Sequence, residues 1–195
     1  MTVLVVLIVV VLVAAVVAAW LLPAGSPPGL VTVGVLVAGL AGLALVALLH
    51  GPVEDDRGLL SRLLLVPMLA LAALGGGPVT ATVLHLADRE DGRSKNGRTG
   101  VEAAASVLRG GAWIGGFERT GVFAALVAGW PEGIAVVLGL KGLGRYSELK
   151  SDAPSSGREP PPPVQGGVAE RFIIGTFCSV LWAVAWAGVV AGLLA

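Results

Sequence analysis

Charge is scarce in this chain of 195 residues. Asp, Glu, Lys and Arg make up 13% of it, against about 25% in an average soluble domain, and the first 53 residues contain none. A soluble globular surface cannot be covered at that density. The 55% apolar content also excludes a disordered chain, which combines low hydrophobicity with high charge. Thirteen basic residues balance thirteen acidic ones, so no net field draws the chain to DNA or RNA, and nucleic acid is excluded as a partner. The single cysteine, Cys178, rules out a disulfide framework or a cysteine metal cage. The two histidines, His50 and His85, have no partners at metal-ligand spacing. No serine sits in a nucleophile elbow, and Cys178 has no neighbouring base. The sequence therefore calls for no metal and no cofactor, and it marks no catalytic residue. What is present, a mean hydropathy of +0.88, points to an all-α polytopic bundle of transmembrane helices.

A helix crossing a hydrocarbon core of about 30 Å needs roughly 20 apolar residues, and about six such spans are predicted. The first runs from Val3 to Leu22; it has no basic start and exceeds the apolar core of a signal peptide, so it is read as retained. A Pro-Gly turn, Pro23 to Gly29, leads to a second span, Leu30 to Leu49. The third segment, Leu59 to Ala87, contains Pro67 and the run Gly75-Gly76-Gly77-Pro78. Such residues leave backbone groups that lipid cannot satisfy, so the segment is expected to be a span broken at Gly75–Pro78, or else a re-entrant hairpin. Residues 88–110 read as a polar loop followed by an interfacial helix, with Thr99 and Glu102 in capping-box spacing. The C-terminal unit, residues 111–195, holds three helices. Spans at Gly111–Trp130 and Glu132–Lys150 form a hairpin turning at Pro131, and a last span covers Ala169–Leu194. A linker at 151–167 contains four consecutive prolines, Pro160 to Pro163, and reads as an extended spacer. Five Lys and Arg residues lie between Arg89 and Arg109 and four between Arg145 and Arg171, which assigns that end of the bundle to the cytoplasm.

The informative charges are those within apolar helices. Glu118 and Arg119 interrupt the fourth span, and Lys141 interrupts the fifth. Arg145 and Glu148 follow Lys141 at i+4 and i+7, on one helix face. A charge at membrane depth is costly, so it pairs or faces a water-filled cavity. At about 1.5 Å per residue, Glu118 lies roughly 18 Å from the hairpin turn, between Lys141 at roughly 15 Å and Arg145 at roughly 21 Å. Glu118 is therefore predicted to pair with Lys141 or Arg145. Glu170 and Arg171 enter the last span from the same side. The candidate polar site is Glu118, Arg119, Lys141, Arg145, Glu148, Glu170 and Arg171. Its excess of cations suits an anionic lipid headgroup or a small acidic solute, and a broken helix of the kind expected at Gly75–Pro78 is a device of transporter sites. The alternative is an accessory or structural subunit. Gly175, Ser179, Ala183, Ala187 and Ala191 repeat every four residues on the last span, a stripe that serves close helix packing, within the chain or against a second copy or partner membrane protein.

Three elements of the C-terminal half recur together elsewhere: Trp113-Ile-Gly-Gly-Phe-Glu-Arg119, then Lys141-Gly-Leu-Gly-Arg-Tyr-Ser-Glu148, then Glu170-Arg-Phe-Ile-Ile-Gly-Thr176. Over roughly residues 110 to 190 the chain resembles a family of uncharacterised bacterial inner-membrane proteins. The resemblance implies a multi-pass protein of the bacterial cytoplasmic membrane, in contact with membrane lipids. It implies no activity or ligand, and the first hundred residues do not share it.

Overall fold

The computed structural model describes residues 2–53, 58–90, 111–151 and 166–194. Among these residues there are six helices and no strand: α1 (Thr2–Leu21), α2 (Pro27–His50), α3 (Leu59–Glu90), α4 (Gly111–Val127), α5 (Gly133–Ser151) and α6 (Gly166–Leu194). The stretches Thr2–Leu21, Pro27–His50, Ser61–Ala87 and Arg171–Leu194 are long and apolar enough to cross a membrane. α4, with 17 residues, is about 25 Å long, and the apolar part of α5, Gly133–Gly144, is shorter. The expected capping pair Thr99 and Glu102 and the four-proline run at 160–163 lie outside the described residues.

Local chemistry sets the helix ends. Ser26 caps α2 by accepting the Gly29 N–H at 3.2 Å, and Pro27 and Pro28 occupy first-turn positions where no N–H is needed. α4 ends in a Schellman motif: Trp130 N–H donates to Ala125 O at 2.8 Å and Gly129 N–H to Leu126 O at 3.0 Å. Gly129 adopts φ 74°, a conformation open to glycine at little cost. Pro131 lies in the turn before α5 rather than at its first helical position. The hairpin then closes tightly, because a Cβ at Gly133 would run into Ala125 and Trp130.

The third segment corrects the expectation most. α3 is one helix of 32 residues that runs through Pro67, Gly75, Gly76, Gly77 and Pro78. It is neither broken at Gly75–Pro78 nor a re-entrant hairpin. The backbone donor missing at Pro78 is replaced by a side chain of α1.

α3 and α6 form the centre of the bundle and run antiparallel. Trp182 on α6 donates to Leu71 O at 3.1 Å, while Gly175, earlier on α6, faces Thr80 and Leu84, later on α3. α4 packs against both, α5 packs on α4, α1 packs on α3, and α2 packs on α1 and α6. At one end, Val53 N–H donates to Leu193 O at 2.8 Å, and Gly192 meets Ala47. At the other end the α1–α2 turn approaches late α3, where Gly25 lies against the His85 ring. The core is apolar, with Leu12, Leu36, Leu43, Met68, Leu71 and Trp186 fully buried. The small-residue stripe of α6 serves packing within the chain: Ser179, Ala183 and Ala187 are buried, whereas Ala191 is exposed.

Candidate functional site

Pro78 has no N–H, so the carbonyl four residues earlier, at Leu74, loses its usual helical donor. The Trp20 indole N–H takes that place, donating to Leu74 O at 3.1 Å. Two other carbonyls of the same turn receive side-chain donors as well, Ala73 O from Arg119 Nε at 2.7 Å and Leu71 O from Trp182 Nε1. The three glycines let these large side chains reach the α3 backbone. A Cβ at Gly75 would meet Trp182 and Val16, one at Gly76 would meet Arg119 and Trp182, and one at Gly77 would meet Trp20. The glycine tract is thus a cradle on a continuous helix.

This arrangement carries a direct test. Trp20→Phe removes the donor to Leu74 O and is expected to cost about 0.6–1 kcal/mol. In Pro78→Ala the new N–H can serve Leu74 O, so adding Trp20→Phe to that variant is expected to cost clearly less. Thermal unfolding of the four proteins forms the cycle; equal losses from Trp20→Phe in both backgrounds contradict the account.

Arg119 is 4% exposed. Besides its bond to Ala73 O, its Nη1 donates to Ser179 Oγ on α6 at 3.1 Å, so one side chain ties α4 to α3 and α6. Both acceptors are neutral. Nη2 has no protein acceptor and Arg119 no carboxylate partner among the described residues. The preceding residue, Glu118, pairs with Lys141 on α5 at 2.5 Å, with side chains 13% and 17% exposed. Lys141 is one of the two partners foreseen from helix rise. Its Nζ also lies 5.5 Å from the centroid of the Phe172 ring, a favourable cation–π placement.

These groups border a cavity of about 620 Å³. Glu118, Arg119, Lys141 and Arg171 line it, as do Thr80, Thr82 and Thr176. Trp20, Leu22, Pro23 and Val33, around the α1–α2 turn, also line it. Of the seven residues singled out in the sequence, the structure therefore gathers four around one space. Arg145 and Glu148 on α5 and Glu170 on α6 have side chains outside the described residues. Three buried polar atoms of the lining residues, Thr80 Oγ1, Thr176 Oγ1 and Glu118 Oε1, lack a hydrogen-bond partner, which is unusual for buried groups in a folded chain.

Thr80, Thr176, Ser179, Trp20 and Trp182 were not singled out for the site by the sequence. For the two tryptophans and the glycines the available signal was Gly-Gly-Gly-Pro itself, which can mark a cradle as well as a break. All three C-terminal segments noted in the sequence reach the cavity: Ile114, Gly115, Glu118 and Arg119 from the first, Lys141 and Gly144 from the second, Arg171, Phe172, Gly175 and Thr176 from the third. Trp113 and Phe117 point away from it, exposed and tilted against each other with centroids 6.4 Å apart. No protein-family model matches the chain, and no curated protein or solved structure matches it either.

Proposed function

We propose that this chain is a multi-pass protein of the bacterial cytoplasmic membrane that binds an anionic group, of a lipid or of a small acidic solute, in the cavity bordered by Arg119. The observation that carries this reading is the charge of Arg119. Glu118 and Lys141 offset each other, whereas the Arg119 guanidinium is buried and bonded only to neutral acceptors. Glu118 acts on Arg119 only through space and shares its carboxylate with Lys141, and a buried cation with no carboxylate hydrogen-bonded to it favours binding of an anion. The Thr80 and Thr176 hydroxyls of the lining lack hydrogen-bond partners and are donors of the kind a bound anion requires. The Lys and Arg residues at 89–109 and 145–171 support assigning the end of the bundle that carries Arg171 to the cytoplasm. The continuous course of α3 removes the break on which a transporter-like reading leaned, so binding is the function proposed.

Octyl phosphate and octanol separate this reading from simple uptake of an alkyl chain. Octyl phosphate at 100 times its Kd should stabilise the purified protein by about 2.7 kcal/mol, seen as a rise in Tm, and octanol should not. Arg119→Lys keeps a charge but loses the planar fork and should weaken octyl phosphate binding at least about tenfold. Equal stabilisation of the wild-type protein by octanol and octyl phosphate overturns the reading.

A second reading is favoured by the two bonds that tie α4 to α3 and α6. In it the chain is an accessory membrane subunit, and Arg119 is a packing device needing no ligand. That reading expects no anion-specific rise in Tm.

A further inference from the structure

Resting on the anion-binding reading, we infer that the anion is the headgroup of an amphiphile whose alkyl chain leaves the cavity sideways, between the α1–α2 turn and α5. Size is the first reason. A cavity of about 620 Å³ lies in the range that encloses a drug-sized ligand, far more than one phosphate or carboxylate occupies. The second reason is how the walls divide. Arg119, Glu118 and Lys141 stand on the α4–α5 side, whereas Leu22 and Val33 around the α1–α2 turn, together with Leu140, are apolar. Apolar wall beside a guanidinium that is hydrogen-bonded to no carboxylate matches a molecule with a charged head and an apolar tail.

The third reason is the side opening. α5 packs against α4 and has no extensive contact with α1 or α2, although residues of all three border the cavity. Among the described residues the wall has a slot there. At its edge Leu140 is 66% exposed, and a Cβ at Gly144 would meet nothing within 4 Å. In a bundle with four helices of membrane-spanning length and composition, such a slot faces lipid. Depth agrees with side entry. Ser179, the α6 partner of Arg119, is eight residues from Arg171 at the start of the apolar stretch, or about 12 Å along the axis. A headgroup reaching Arg119 has left the interface, and the slot lets its chain stay in hydrocarbon as it does so.

Methyl, butyl and octyl phosphate test this, each measured against the alcohol of equal chain length so that partition into detergent cancels. Affinity is expected to rise with chain length, by up to about fourfold per methylene, the value for full burial of a CH₂ group. Gly144→Leu places a side chain in the slot without a backbone clash. It should weaken octyl phosphate at least about tenfold and leave methyl phosphate unchanged. If all three phosphates bind alike, or if Gly144→Leu affects none of them, the anion is a free solute and the amphiphile inference is overturned, while anion binding stands. If no phosphate binds better than its alcohol, anion binding itself has failed.

Discussion

Gly76→Val is expected to destabilise the folded protein by about 3 kcal/mol or more, at or beyond the upper end of ordinary overpacking. A Cβ at residue 76 would fall within 3 Å of Arg119 Cδ and Nε and of Trp182 Cδ1. Neither neighbour can retreat freely, because Arg119 is bonded to Ala73 O and Ser179 Oγ and Trp182 to Leu71 O. Moving either one leaves buried polar groups unpaired, adding to the steric term. Gly139, with nothing within 4 Å of its Cβ position, is the control. There Gly139→Ala should be neutral or stabilising by up to about 1 kcal/mol through helix propensity. Thermal unfolding of the detergent-purified proteins reads both. A Gly76→Val protein with the Tm of the wild type is incompatible with the cradle.

Lys141→Met is expected to cost about 2–3 kcal/mol, below the loss of about 3–5 kcal/mol for a fully buried ion pair, because this pair is partly buried. The Glu118 carboxylate that remains is 13% exposed, and its Oε1 already lacks a partner. Glu118→Gln should cost less, because the long Lys141 stem can carry its charge toward the cavity mouth and keeps the Phe172 ring. The double variant Glu118→Gln/Lys141→Met leaves no unpaired charge, so its loss should fall well below the sum of the two singles. A double-mutant cycle measures this coupling. Strict additivity contradicts the pairing of these residues as an energetic unit.

Much of this architecture was legible because apolar runs and helix rise are simple quantities. The six helices follow the apolar runs, and counting residues from the hairpin turn put Glu118 at a depth between Lys141 and Arg145, the first of which is its partner. α3 was not legible in the same way. Proline and glycine in a helix oppose helicity locally, and whether the helix survives depends on donors distant in sequence. Trp20 is 54 residues from Leu74 and Arg119 is 46 from Ala73, separations that no local pattern reports. The role of Arg119 was half legible. Its position within an apolar helix called for compensation, which the structure supplies through a carbonyl and a hydroxyl rather than a carboxylate. The α6 stripe held through Ala187, where facing helices need close approach, and ended before Ala191, which faces outward. Thr80 and Thr176 form no motif and gain meaning only from the cavity between them.

Native mass spectrometry of the protein extracted from its own membrane in mild detergent tests most directly whether the Arg119 cavity holds an acidic amphiphile. The wild-type chain should retain one acidic lipid per copy, and Gly144→Leu should lose it while keeping the wild-type fold. Wild-type protein that emerges without an acidic adduct, indistinguishable from Gly144→Leu, contradicts the account.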